Sequence, residues 1–344
     1  MPKAKRILII EDMKEYSPKF LLSGLRKQIK GYVRLGHDVH VFNYGDAFWH
    51  VAPVMSKLMK RRWCKQYVDD LLAKVIGSYG PDIVHLSFAN FIDGSTVDRI
   101  RQTVPNAFLL SIDGDPWPEL QANRVEIASK LDFVFATNNG KWLDVYRKAG
   151  VPCAFLPNPC DPDINYRYDV EGRWKTDILF TGKTKLNKRY PTDPMRHELI
   201  SRLAGMDNAT LYGCFGRPRI DGMDYLYAIS GARIALSINL ANDVSMCHSD
   251  RLTHYLACGT FVLAKRVPDA DLLFKDGVHL RYFDTIDEFF ELADWHLAHE
   301  EERAGIAECG MRHIHAEFNG QKLAKYILDV VDHGSYEAPW WPCR

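Results

Sequence analysis

The densest chemistry in this chain lies in His248, Ser249, Asp250 and Arg251, with His254 one helical turn further on. They open the run H-S-D-R-L-T-H-Y-L-A-C-G-T-F-V-L-A-K, which reads as a polar loop, a short helix from Ser249 to Ala257, a stop at Gly259 and a strand from Phe261 to Lys265. Ser249 or Asp250 can cap this helix, whose first turn then presents unpaired N–H groups and a positive dipole end, an arrangement that favours an anion. Arg251 adds a fork-shaped donor suited to phosphate. A second constellation is T-G-K-T-K-L-N-K-R-Y, where Gly182 directly follows a strand, with Lys183 and Arg189 in a basic cluster behind it. Glycine there lets a phosphate approach the backbone, although the spacing is not that of a P-loop. The third is D-G-D-P-W-P, in which Asp113 and Asp115 lie just past a strand end, so that either could accept a proton from a hydroxyl. Each has a plainer reading: the joint of any α/β protein, a basic surface loop, and a tight turn.

The elements that must position these residues alternate strand and helix along the whole chain. In the first half, strands are expected at Arg6–Ile10, around His40, at Ile83–Ser87, Ala107–Ile112 and Leu131–Thr137, with helices at Leu21–Leu35, Val54–Tyr79, Ser95–Thr103 and Lys141–Ala149. Short apolar runs bounded by polar loops fit buried parallel strands. The segment L-P-N-P-C-D-P, rich in proline and polar residues, has the composition of an interdomain hinge. Beyond it, strands are expected at Thr176–Phe180, Ala209–Tyr212 and Ile234–Ile238, and helices at Ile286–Ala298, Glu300–Phe318 and Gln321–His333. Asn239 and His248 then fall at the carboxyl edge of the second sheet, where open α/β sheets bind ligands. The organisation expected is a first α/β domain over 1–160, a second over 161–325, and a last helix and tail over 326–344, with Trp340 and Trp341 suited to anchor it back on the first domain.

With 344 residues the chain suits two domains, and 47% apolar and 26% charged residues are those of a globular protein. A net charge of zero gives no bulk attraction for nucleic acid. No G-x-G-x-x-G follows the first strand, which argues against a dinucleotide site. Eight cysteines without metal-ligand spacing read as reduced and buried, which with the lack of a signal peptide suits the cytoplasm. Lys57, Lys60, Arg61, Arg62 and Lys65 surround Trp63 on an expected helix. They form either a solvated basic face or a peripheral contact with anionic lipid at the inner membrane face, or with a charged glycan acceptor.

R-x-x-x-x-L-A-C-G-T-F followed by D-G-V and a helix rich in Glu and Ala resembles the second half of the two-domain nucleotide-sugar glycosyltransferases, nearest to the CgeB-like and group 1-like proteins. The pattern L-G-H-x-V near the start and L-P-N-P-x-D-P at the hinge are similar to the same family. The resemblance implies the GT-B fold, two Rossmann-like domains facing across a cleft, the first binding an acceptor and the second a nucleotide-diphosphate sugar, with no cofactor and no bound metal. It implies diphosphate contacts from Gly182, Lys183 and Arg196, donor contacts around Asn239, His248, Ser249, Asp250 and Arg251, and a cleft-lining loop at Asp113 and Asp115. His254 stands where the family has a Glu that grips the donor ribose. The reaction implied is sugar transfer to a hydroxyl of a glycan, lipid-linked or small-molecule acceptor; a sugar-nucleotide epimerase of the same fold and a non-catalytic donor-binding protein are the alternatives.

Overall fold

A computed structural model describes residues 3–12, 21–51, 60–87, 92–114, 122–183 and 193–341. The first domain contains β1 (Arg6–Glu11), α1 (Gly24–Arg34), β2 (Asp38–Asn43), α2 (Tyr44–Val51), α3 (Lys60–Tyr79), β3 (Ile83–Leu86), α4 (Gly94–Thr103), β4 (Phe108–Asp113), α5 (Ala122–Ala128), β5 (Phe133–Ala136), α6 (Lys141–Lys148) and β6 (Cys153–Phe155). The second contains β7 (Thr176–Thr181), α7 (Pro194–Ala204), β8 (Ala209–Tyr212), α8 (Gly222–Gly231), β9 (Ala232–Ser237), α9 (Asp250–Ala257), β10 (Phe261–Lys265), β11 (Arg281–Phe283), α10 (Ile286–Ala298) and α11 (Glu300–Glu317), and α12 (Gly320–His333) follows.

Every strand pairing is parallel. Parallel strands need helical crossovers, which cover both faces, so the strands are apolar on both sides; Ile83 to Leu86 is wholly buried, as are Ile7 to Ile10. The first sheet runs β2-β1-β3-β4-β5-β6 and the second β11-β10-β9-β7-β8. In the first, the chain moves outward from β1 to β2 and then returns to place β3 on the other flank of β1. In the second it moves from β7 to β8 and returns to place β9 beside β7. Each sheet therefore has a switch of direction, between β1 and β3 and between β7 and β9, where the loops leaving two neighbouring strands diverge and open a crevice. Two Rossmann-like halves are thus built on one plan, as expected.

The chain returns to the first domain after Phe318. Cys160 and Asn319 form an isolated parallel bridge, and α12 then lies along α1. The helices approach closely at paired glycines: a Cβ on Gly31 would lie 2.1 Å from the Gly320 carbonyl oxygen, and one on Gly320 would lie 2.2 Å from that of Lys27. Tyr336 donates its hydroxyl hydrogen to the Phe155 carbonyl at 2.6 Å, and Trp340, 2% exposed, donates its indole N–H to the Tyr336 oxygen. The tail is fixed to the end of β6 by buried polar bonds as well as by apolar area.

Candidate functional site

The carboxyl edge of the first sheet holds a cavity of about 340 Å3, with Glu11 from β1, His85 from β3 and Asp113 from β4 in its wall. Asp250, in the first turn of α9, reaches the same cavity from the second domain. It is therefore a cavity of the first domain that the second domain touches through Asp250. Larger hollows lie at the amino edges of the two sheets, away from the loops that diverge at the switch points.

His85 is the polar residue in an otherwise apolar strand, I-V-H-L, set between Ile9 and Leu110 in the sheet register. It is 4% exposed, and its Nδ1 has no hydrogen-bond partner among the described residues. Burial pushes its pKa down to about 4, so the ring is neutral at physiological pH. The sequence reading passed over it; a lone His inside an apolar run was the available signal.

Asp113, expected as a candidate proton acceptor, lines this cavity and has two side-chain partners. Arg124 donates to one carboxylate oxygen at 2.5 Å and the Tyr146 hydroxyl donates to the other at 2.8 Å. These bonds tie α5 and α6 to the end of β4. Asp115 and Arg189 lie outside the described residues.

At the second switch point two arginines converge. Arg251 donates to the Thr181 carbonyl at 2.9 Å and to the Ile238 carbonyl at 2.6 Å, the exits of β7 and β9. Arg196 donates to the same Ile238 carbonyl and, at 2.7 Å, to that of Lys183. Both guanidinium carbons sit over the Phe180 ring, 5.2 Å and 5.0 Å from its centroid. Neither has an ion-pair partner among the described residues, and the Nε of each is buried without an acceptor. Burial, then the charge of Arg251, pushes the Arg196 pKa down to about 9. Two adjoining cations held on neutral carbonyls are an uncompensated positive site. Gly182 abuts it with φ +143°, and a Cβ there would lie 2.7 Å from Arg251 Nη1. Lys183 is exposed beside it. Tyr255, also unforeseen, accepts the Thr181 backbone N–H at 3.0 Å and braces the exit of β7.

The remaining expected contacts divide. Asp250 faces the cleft. Ser249 precedes α9 with extended backbone but makes no side-chain cap; its Oγ is buried without a partner. Asn239 donates to the Cys247 carbonyl and shapes its own loop. His248 is buried: Nε2 accepts the Asn158 backbone N–H at 3.2 Å, which places the proton on Nδ1, facing the Met246 carbonyl. With Asn158 also donating to the His248 carbonyl at 2.8 Å, His248 clasps the hinge. His254 is likewise engaged with protein groups. Its Nε2 lies 2.7 Å from Lys27 Nζ, out of α1 of the first domain, and its Nδ1 lies 3.4 Å from the Tyr225 hydroxyl. Both nitrogens face protein groups and the ring is 5% exposed. Burial and the Lys27 charge hold its pKa well below the usual value, and burial lowers that of Lys27.

Of the basic stretch around Trp63, Lys57 lies outside the described residues, and so do the side chains of Lys60, Arg61 and Arg62. Lys65 turns inward to Asp69 at 2.6 Å and Thr96 at 2.7 Å and is not offered to a membrane. No helix among the described residues is long and apolar enough to cross one.

Residues 181–329 match the family model described as glycosyl transferase-like. No curated protein sequence matches the chain. Among solved structures the whole fold is shared. A glycosyltransferase from Rickettsia africae superposes with a TM-score of 0.64 at 13% identity, covering 95% of this chain and 98% of that one. Sucrose-phosphate synthase from Thermosynechococcus elongatus gives 0.63 at 13% identity over 95% and 98%. Anabaena Alr3699/HepE in complex with UDP-glucose gives 0.61 at 14% identity over 95% and 99%. Two parallel sheets, each with its own switch point, and end-to-end likeness to such structures show that this chain has the GT-B fold, and its second domain matches a glycosyl transferase-like family model over residues 181–329.

Proposed function

We propose that the chain is a glycosyltransferase that moves a hexose or related sugar from a nucleotide-diphosphate sugar to an acceptor hydroxyl in the cleft. The observation that carries this is the Arg196–Arg251 pair: two cations at the exit of β7 and β9, without a carboxylate partner among the described residues, beside a glycine that leaves room for a ligand. A diphosphate supplies the missing negative charge. Negative charge grows on that diphosphate as the sugar departs, and cations fixed in advance stabilise it most at that moment. Lys183 and the first turn of α9 add to the same field. That Anabaena HepE is seen with UDP-glucose in the same fold supports the donor class.

The acceptor lies in the cavity of the first domain. There His85 is neutral and its Nδ1 is free of protein hydrogen bonds among the described residues, so it is the group suited to take the hydroxyl proton. The negative charge of a bound donor raises its proton affinity from the low value of the empty site. Asp113, held by Arg124 and Tyr146, positions the wall. The acceptor class, whether glycan, lipid-linked or small molecule, and any peripheral membrane contact beside exposed Trp63 belong to this proposal. No metal or cofactor is assigned a role.

The test is a melting-temperature screen with nucleoside diphosphates. A ligand that binds only the native state raises the melting point. We expect one base family to do so and Arg251→Ala to abolish the shift. With acceptor present the transferase releases free nucleoside diphosphate, whereas an epimerase of this fold converts the sugar nucleotide without release. No shift from any diphosphate would refute the donor site.

A further inference from the structure

The amino edge of the second sheet, where β7, β8 and β9 begin, carries a separate hollow of about 610 Å3. That volume falls within the range of about 300–1,000 Å3 typical of small-molecule sites. It lies at the opposite end of the strands from the paired arginines, so it is no part of the cleft.

Its charges balance. Arg167, Lys175 and Arg233 supply three positive groups and Asp169, Asp177 and Asp207 three negative ones. Part of this is fixed internally: Arg233 donates to Asp177 at 3.0 Å and to the Leu297 carbonyl at 2.7 Å, and Arg167 donates to the Gly259 carbonyl. Asp169, Lys175 and Asp207 are exposed and their side chains have no hydrogen bond or ion pair among the described residues. Asn208 donates one amide hydrogen to Asp177 at 3.4 Å and adds its second N–H and its carbonyl to the lining. A balanced set of this kind gives no net pull on an anion or a cation. It offers many directed donors and acceptors to a neutral ligand rich in hydroxyls.

Tyr168 is the aromatic residue of the lining, and other rings back it. Tyr168 lines the hollow and stacks on Tyr166 with ring centroids 4.2 Å apart, while its edge meets Tyr227 at 5.4 Å. Tyr227 in turn packs near Trp174 at 6.2 Å. Tyr168 is pinned at both ends: its backbone N–H donates to Ser230 Oγ at 3.1 Å and its hydroxyl to the Ile164 carbonyl at 2.8 Å. Tyr166 remains 42% exposed. A fixed ring beside planar polar side chains matches the two faces of a pyranose, apolar C–H groups on one side and hydroxyls around the rim.

We propose that this hollow is a second binding site, for a neutral oligosaccharide. Saccharide binding here stands independently of the donor site; use of the hollow to hold a glycan acceptor chain rests on the transferase reading.

The test is titration of the full chain with maltotriose, cellotriose and mannotriose by calorimetry and saturation-transfer NMR, with and without a saturating nucleoside diphosphate. At least one should bind, with Kd on the order of 1 mM. Tyr168→Ala should weaken it at least about tenfold, Tyr168→Phe, which keeps the ring, less than about twofold, and Asp207→Asn severalfold with an unchanged melting point. Diphosphate should leave the affinity unchanged. The proposal is overturned if no trisaccharide binds at about 50 mM, if Asp207→Asn and Tyr168→Ala both bind as the parent does, or if diphosphate displaces the sugar. The diphosphate melting shift is read separately, so failure of this site and failure of the donor site are distinguishable.

Discussion

Gly182→Ala separates the anion site from the rest of the fold. The glycine has φ +143°, a region costly for any residue with a Cβ, and holding alanine there costs on the order of 1–3 kcal/mol. The new methyl would stand 2.7 Å from Arg251 Nη1 and 3.3 Å from the Phe180 ring. The same Nη1 makes the 2.9 Å bond to the Thr181 carbonyl. The guanidinium is the movable partner, so it swings away, and the site loses one oriented cation. A hydrogen bond to a charged group contributes about 1.5–3 kcal/mol, so nucleoside diphosphate affinity should fall by roughly 10- to 100-fold. Calorimetric titration with the best diphosphate from the melting screen reads this directly. Gly334→Ala is the control: φ is +73° with no atom within 4 Å of the added Cβ, so it should cost backbone strain alone and leave affinity unchanged. If Gly182→Ala binds within about twofold of the parent while its melting point falls, the diphosphate does not sit against Gly182 and the site is misassigned.

Acid should destabilise the fold through its buried histidines. His85 and His248 are pushed down to about 4 by burial against about 6.5 when unfolded, so protons bind preferentially to the unfolded chain. Their stabilising contribution is complete above about pH 6.5 and is lost as pH falls toward 4, at about 2 kcal/mol each by pH 5. Thermal melts from pH 7.5 to 5 should show the fall, with a smaller slope in His85→Asn; an identical slope would contradict a buried neutral ring. Gly320→Ala should force α12 from α1, because the Cβ meets the Lys27 carbonyl at 2.2 Å; the expected loss is about 1–3 kcal/mol or more, and a melting point unchanged from the parent would refute the contact.

The order of elements was legible because buried parallel strands leave short apolar runs and helices leave caps. Phe261–Lys265 and Ala209–Tyr212 are strands over the expected residues, and Ile286–Ala298 is a helix over them. Thr285 caps the last of these through Glu288, a local bond that spacing alone announces. The short helix α2 was not anticipated, since Tyr44–Val51 follows its strand without a loop. Residue types at the second switch point were legible too: Gly182, Arg196 and Arg251 do converge. Their immediate partners were not, because Arg251 caps carbonyls 13 and 70 residues away. Lys27 and His254 are separated by 227 positions and meet only where α1 of the first domain reaches α9 of the second. A polar residue aimed at a ligand and one aimed at a distant protein group look alike in sequence. Burial distinguishes them, and burial is a property of the fold.

The central claim is that the paired arginines hold a diphosphate. The most direct measurement is the crystal structure of the complex with the nucleoside diphosphate that most raises the melting point. The account predicts phosphate oxygens within hydrogen-bond distance of Arg196 and Arg251 and against the Gly182 backbone, with the nucleotide at the carboxyl edge of the second sheet. A diphosphate bound at either amino edge, or wholly within the first-domain cavity with both arginines still facing only carbonyls, would contradict it.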